Sequence, residues 1–398
     1  MQGIALRWFD METVNADGPA HLLPRRRPGH LGQINLGQLL AIEAALLGTL
    51  AVLRQGALVV LAVAAGGIVL LLMALGRRQG RWWLECQMMG QRMRRRRTRS
   101  VGTSVDHRMA ALRHLAPGLV VRDVAAADSS QVGVARDGAG WFAVAAVEPG
   151  REVRLDSLVG ALVEVSQPGA ALQVVIHTIP GDPGMASAAP ANVSYRQLLA
   201  SCDAQVAPAD RVVWIAVRLD ARLLAEVSPD DSADLDRAPA VTTALLRRVT
   251  KQLRRVGLEH QVLNANQLID ALVRASDVDG GVATAPPGEE WSRWRSTILV
   301  HRSFWVRGWP SAQPADALVR WLAAVPAART DVALTLVPDG ETVDLRCLFR
   351  MASPAEQLDG LCRQVVQQAR EHGAELFPLD GEQAPAVYAT APTGGGAQ

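Results

Sequence analysis

Residues 34–76 constrain this chain more than any other stretch. INLGQLLAIEAALLGTLAVL (34–53) and ALVVLAVAAGGIVLLLMALG (57–76) are two apolar runs separated only by Arg54, Gln55 and Gly56. Each run is ~30 Å long as a helix, the thickness of a bilayer's hydrocarbon core. One helix through both would exceed ~60 Å, about twice what a membrane covers. A secretory signal has a shorter apolar region and a small-residue cleavage site. Here a second full-length run follows at once, and the first lies behind a polar segment of some thirty residues. The pattern predicts an antiparallel transmembrane hairpin turning at Arg54-Gln55-Gly56, with Gly56 supplying a positive φ and Arg54 reaching headgroups.

Arginine placement predicts the orientation. Arg25, Arg26 and Arg27 precede the first run; Arg77, Arg78, Arg81, Arg92, Arg94, Arg95, Arg96, Arg97 and Arg99 follow the second, against Arg54 alone in the turn. The positive-inside rule places both termini in the cytoplasm and the turn outside, in a multi-pass inner-membrane topology. Trp82 and Trp83 fall where an interfacial aromatic belt sits. Arg77, Arg78, Arg81 and Arg94–Arg97 are candidate contacts to anionic lipid headgroups. The competing reading of RMRRRR is a nucleic-acid or nuclear signal, which the apolar context and a net charge of +2 disfavour.

Within the runs, Glu43 is a carboxylate where lipid would make it costly, with Gln38 about one turn before it. It faces a partner helix, relays protons, or is locally solvated; the sequence leaves these open. Ala64, Ala65, Gly66 and Gly67 form a small-residue patch suited to close helix contact. Gln38, Glu43, Gly66 and Gly67 are thus candidate contacts within the membrane.

The rest of the chain reads as soluble α+β. WFAVAAVE, ALQVVIHTI, RVVWIAVRLD, STILVHRSFWVRGWP, DVALTLVP and TVDLRCLFRM have strand character, the last two as a hairpin about Asp339-Gly340. Helices are expected over 155–165, near Tyr195, and from Pro239 to Val256, where Leu245, Leu246, Val249, Leu253 and Val256 share a face. A further helix is expected after Ser353 as N-cap, with Pro354 first and Glu356 in a capping box. Both halves can be written β-α-β-β-α-β, the ferredoxin-like order. The expected organisation is a cytoplasmic tail (1–33), the hairpin (34–76, helices 34–53 and 57–76), a basic juxtamembrane linker (77–117), α+β subdomains at 118–285 and 286–383, and a disordered tail (384–398).

Chemistry is sparse. A Walker A loop needs a lysine to reach the phosphates, and the single lysine, Lys251, lies in VTKQLRR inside an expected helix. There is no HExxH, GxSxG or glycine fingerprint after a strand. His177 and His301 stand in expected strands without companions at metal spacing, and read as satisfied sheet residues. Cys86, Cys202, Cys347 and Cys362 are far apart, which fits reduced thiols and neither a zinc site nor a disulfide framework. Asp230, Asp231, Asp234 and Asp236 in SPDDSADLD form a dense acidic loop: a divalent-ion site as in sugar-nucleotide transferases, or a solvated loop capping the next helix. Five tryptophans crowd 291–321; Trp305 and Trp309 are candidate subunit-interface residues, the alternative being a stacking site for bases or sugars. No metal, catalytic residue or cofactor is assigned.

VVWIAVRLD (212–220) and WSRWRSTILVHRSFWVRGWP (291–310), with the hairpin, the Arg-rich stretch and the long α+β region, resemble EccE, the E component of the mycobacterial type VII (ESX) secretion membrane complex, with a lean toward the fifth ESX system. The resemblance implies a structural, non-catalytic subunit at the periphery of an inner-membrane export complex. It implies EccB, the ATPase EccC and EccD as partners, with hairpin and cytosolic domain packed against EccD. Membrane lipids are expected as a further partner, and nucleic acid is not. Two rivals remain: a membrane-anchored glycosyltransferase-like enzyme using the 230–236 carboxylates, and a membrane-anchored ligand sensor.

Overall fold

The structure is a computed structural model. It describes residues 30–31, 34–52, 54, 56–78, 81–98, 106–126, 129–148, 169–180, 210–227, 232–278, 287–310, 315–339 and 342–395. These fall in two compact units, one within residues 12–99 and one from Ser100 onward.

In the first unit, α1 (Leu36–Ala51) and α2 (Ala57–Leu75) pack as a helical hairpin. The expected runs of 34–53 and 57–76 are trimmed, because Ile34 and Asn35 pair with His30 and Leu31 as a two-residue antiparallel ladder. At 16 residues α1 rises ~24 Å, and at 19 residues α2 rises ~28 Å. Among the described residues, no helix is long and apolar enough to cross a membrane. Gly56 caps α2 at φ −60°, ψ 148°, an extended conformation open to any residue, so the turn does not use the left-handed freedom expected of it. Arg77 and Arg78 pair with Arg81 and Trp82, and α3 (Trp83–Arg97) follows.

The second unit begins with α4 (His107–Arg113), capped by the Asp106 carboxylate accepting from the Arg108 amide. Among the described residues, twelve strands then build one sheet. They are β1 (Val120–Ala125), β2 (Gln131–Arg136), β3 (Gly140–Val147), β4 (Ala170–Ile179), β5 (Asp210–Asp220), β6 (His260–Val262), β7 (Gly288–Glu289), β8 (Trp294–Arg295), β9 (Val300–Gly308), β10 (Arg329–Asp339), β11 (Thr342–Ser353) and β12 (Glu375–Pro378). Between them lie α5 (Ala221–Val227), α6 (Ser232–Arg255), α7 (Ala265–Ser276), α8 (Ala315–Ala323), α9 (Ala355–Glu371) and, after β12, α10 (Gln383–Thr390).

The order across the sheet is β7-β8-β9-β11-β10-β4-β5-β3-β2-β1, with β12 beside β9 and β6 beside β3. The second half therefore runs β12-β9-β11-β10, every neighbour antiparallel, with α8 and α9 as its crossovers. That is the split βαβ order. The first half runs β6-β3-β5-β4 by the same rule. The expected helix at 155–165 and the one near Tyr195 lie outside the described residues. Each half carries an added hairpin on its own first strand: β2 on β3, and β8 on β9. The halves do not form separate sheets. They join where β4 meets β10, antiparallel from Leu172 opposite Leu336 to Thr178 opposite Thr330.

Side chains alternate between the faces of a strand. On one face Leu172, Val174, Ile176, Ile215, Val217, Leu219, Val332, Leu334, Leu336 and Phe349 are buried beneath Leu245, Leu246, Val249 and Leu253 of α6, Leu318 and Leu322 of α8, and Leu358 and Val365 of α9. Burying each such side chain contributes roughly 1.5–3 kcal/mol. The α6 row matches the expected face except Val256, which lies beyond the helix and is exposed. Helix α6 also begins seven residues before Pro239 and takes Asp234 and Asp236 into its first turns. Helix α9 begins at Ala355 with Pro354 as an N-cap lacking a side-chain bond, so the Ser353 capping box does not form.

The expected disordered tail at 384–398 is corrected over its described residues, 384–395. Helix α10 is buried through Tyr388, and Ala391 and Thr393 after it are buried as well. Remote polar side chains hold this segment, described next.

Candidate functional site

The opposite face of the sheet carries the buried charges. His177 on β4 stands directly across from Asp331 on β10, which in turn faces Arg350 on β11. The His177 Nδ1–H donates to Asp331 Oδ1 at 2.7 Å, and Arg350 Nη2 donates to Asp331 Oδ2 at 2.7 Å. All three side chains are essentially inaccessible. Arg350 also donates to the Ala275 carbonyl near the end of α7. Beside it, His301 Nδ1 lies 3.5 Å from Arg350 Nη1, and His301 Nε2 lies 3.2 Å from Asp277 Oδ2. Asp277 closes α7 in the left-handed region at φ 55°, and its carboxylate also receives the Ser296 hydroxyl and pairs with Arg329 at 3.0 Å.

Burial pushes the His301 imidazole below its ordinary value, and the Arg350 charge adds to this against the pull of Asp277. A neutral His301 donating from Nε2 to Asp277 and accepting from Arg350 at Nδ1 satisfies both geometries. Burial alone would raise the two carboxylic acids. For Asp277, the hydrogen bonds from His301 and Ser296 and the charge of Arg329 outweigh it and hold the acid low. For Asp331, Arg350 and the bond from His177 do the same.

A second cluster pins the C-terminal segment. Arg218 on β5 makes two bonds to Asp137, in the β2–β3 turn, at 2.9 and 3.0 Å. Arg218 also donates to the Thr393 carbonyl, and the Tyr388 hydroxyl donates to Asp137. Gln173 on β4 donates to the Ala389 carbonyl at 2.6 Å and accepts from the Thr393 and Gly394 amides. Gly394 and Gly395 have φ of 76° and 75°, and a Cβ on Gly394 would lie 2.3 Å from Arg218 Cβ. At the other end of α10, Gln383 Oε1 accepts from the Ser303 amide and Glu289 accepts from the Ala384 amide.

Chemically, both clusters are closed. An acid–base pair such as His177–Asp331 needs a reacting group and an approach for substrate, and this one is sealed between the sheet and the helices. Buried pairs of this type fix geometry: leaving one partner alone is costly, so the strands and helix ends must sit where the charges match. Among the described residues no group of His, Cys, Asp or Glu is arranged to hold a metal ion. Cys347 and Cys362 are buried thiols whose burial raises their pKa, that of Cys362 to about 11, which keeps them protonated and inert. Asp230 and Asp231 lie outside the described residues.

The other sequence candidates are dispersed. Glu43 is exposed on α1, and among the described residues no group pairs with it. Gln38 lies in α1, its side chain outside the described set. Of the two glycines, Gly67 makes the close contact: a Cβ there would be 3.4 Å from Ala45 Cβ of α1, whereas Gly66 faces open space. Arg77, Arg78, Arg81, Trp82 and Trp83 are placed in backbone only. Arg94, Arg95 and Arg97 are exposed at the end of α3 and Arg96 is half-buried. Trp305 is half-buried on the charged face, and Trp309 packs against the hydrophobic core.

His301 is a satisfied sheet residue, as its strand context suggested, whereas His177 is bonded at Nδ1 and its buried Nε2 has no partner among the described residues. The residues that complete their network, Asp331, Arg350, Asp277 and Arg329, went unread in the sequence. The available signal was a charge at an inward position of an otherwise apolar strand, as in DVALTLVP and TVDLRCLFRM.

The segment from β5 to β9 supplies Arg218 to one cluster and Asp277, Ser296 and His301 to the other. Residues 207–306, covering this segment, match the family model described as "Putative type VII ESX secretion system translocon, EccE". Over that stretch the chain is similar to the EccE family. No curated protein matches it. The matched segment runs from β5 in one half of the sheet to β9 in the other and carries Arg218, Asp277, Ser296 and His301 of the buried clusters, while the β4–β10 seam lies outside it.

Proposed function

We propose that this chain is a structural, non-catalytic subunit of a type VII (ESX) secretion core complex in a bacterial inner membrane, working by assembly. The observation that carries the reading is the EccE match over 207–306. The closed chemistry of both buried clusters supports it. The hairpin is the anchor: Leu46, Leu47, Leu50, Leu58, Leu61, Ile68 and Leu72 are exposed along α1 and α2, an apolar surface that water disfavours and lipid accepts. Helices of ~24 and ~28 Å fall just short of a ~30 Å core, a mismatch that local thinning and snorkelling arginines absorb. Both ends of the hairpin lie on the cytoplasmic side, with Arg94–Arg97 against anionic headgroups and Glu43 toward a partner helix. EccB, the ATPase EccC and EccD are the partners, with Trp305 and Trp309 near a subunit contact, and the split βαβ halves are two related subdomains. The fifth ESX system is the favoured setting.

The test is co-expression of the tagged chain with the B, C and D components and separation on native gels. Co-migration with all three, lost when residues 34–76 are removed, is the expected result. A chain that migrates only by itself overturns the proposal.

A further inference from the structure

Several surface helices of the second unit pair their exposed arginines with acids. Arg222 pairs with Glu226 on α5, Arg320 with Asp316 on α8, and Arg274 of α7 with Asp210. Helix α6 differs. Its end, RRVTKQLRR (247–255), holds Arg247, Arg248, Lys251, Arg254 and Arg255, and no Asp or Glu stands between Asp236 and Glu259. Arg248, Lys251, Arg254 and Arg255 are exposed, and Arg247 is half-buried. Arg248, Lys251 and Arg254 make no hydrogen bond or ion pair among the described residues.

At ~100° per residue the five cations fall within an arc of ~120°, along ~12 Å of the helix axis. The arc lies opposite Leu246, Val249 and Leu253, which α6 buries. Such a row works against its own helix, because cations three and four positions apart repel. The helix dipole favours cations in the last turn, which accounts for Arg254 and Arg255 but not for Arg247, Arg248 and Lys251. Between the cations stand Val249, Thr250, Gln252 and Leu253, none aromatic, so nothing on this face stacks on bases. Long flexible cations on the outward face of a helix suit a plane of mobile anions, where each meets a headgroup without fixed register. The chain that carries the row also carries the hairpin, so anchoring concentrates the row at a bilayer.

We propose that the outward face of α6, from Arg247 to Arg255, docks on anionic lipid headgroups of the cytoplasmic leaflet, a second basic contact distinct from that of α3. It rests on the reading of the hairpin as membrane anchor.

Lys251 is the single lysine of the chain, so an amine-acylating reagent reports on this face at one position. The full chain is reconstituted into nanodiscs of phosphatidylcholine, alone or with phosphatidylglycerol, and acylation of Lys251 is followed by mass spectrometry. The expected rate is about fivefold lower in the anionic discs, and the difference disappears in ~1 M salt. Arg248→Glu with Arg254→Glu, both at exposed positions, abolishes the difference, whereas Arg320→Glu on α8 leaves it in place. Equal rates in the two kinds of disc overturn the proposal, as does an equal loss with Arg320→Glu. A short RNA duplex or an acidic peptide that slows acylation in neutral discs, where anionic lipid has no effect, assigns the face to that partner and also overturns it. Co-elution of the chain with neutral discs reports the anchor and the ratio of rates reports α6, so the two readings fail separately.

Discussion

Asp331 is the residue on which the charged face turns, since it answers both His177 and Arg350 in a site with no access to water. Asp331→Ala leaves Arg350 buried without its counter-charge, and such a loss typically costs about 3–5 kcal/mol. The urea midpoint of the solubilised chain should fall accordingly, while Asp316→Ala at an exposed pair with Arg320 leaves it nearly unchanged. Acid acts in two stages. The folded pKa of His301 is depressed, so its contribution is present above the unfolded value of ~6.5 and is lost as pH falls through the folded one. Asp277 and Asp331 are also depressed, and their contributions are lost only below ~4, further into acid. Thermal melts across pH should show both limbs, and His301→Asn should remove the upper one. That the two histidines are structural was legible, because neither had companions at ligand spacing. Which carboxylates answer them was not legible. Asp331 lies 154 positions from His177, and only the β4–β10 register brings them together.

At the scale of elements, the C-terminal helix shows why composition misleads. YATAPTGGG has no hydrophobic period and reads as disorder, yet it is fixed by Gln173, Arg218 and Asp137, hundreds of positions upstream. No local pattern encodes such anchors. The strands, by contrast, were legible, since each buries one alternating face under amphipathic helices. Gly394→Ala tests the anchoring. The added Cβ meets Arg218 on a left-handed backbone, and the strain should cost about 1–3 kcal/mol. Hydrogen exchange is the readout: amides of 383–394 lose protection, while those of β3 keep it. Helix α2 has its own contact with α1 at Gly67 and Ala45. Gly67→Leu should weaken the hairpin, and Gly66→Leu, facing open space, should not. Cross-linking of cysteines introduced at Gly48 and Val63, where a Cβ on Gly48 would lie 3.8 Å from Val63 Cγ1, would report the difference.

For the whole molecule, the proposed anchor makes the sharpest claim. Leu47 and Leu61 are exposed by 57% and 71%. Replacing both with Lys places two charges where insertion costs several kcal/mol in total, and should move the chain from the membrane pellet to the supernatant on fractionation. Retention in the pellet would count against the hairpin as anchor. The strand order within each half was legible from segment order, although the helix expected between β3 and β4 lies outside the described residues. The fusion of the halves was not, because nothing in either sequence half states which edge strand meets which.

That fusion has a mechanical meaning. Seven opposed residue pairs, Leu172–Leu336 through Thr178–Thr330, join two halves that would otherwise meet through side chains alone. A pull along the strand direction must shear all the hydrogen bonds of that ladder together, whereas a hinge between separate domains would yield one contact at a time. A tug on one half therefore reaches the other almost without slack, and this protein behaves under load as a stiff strut.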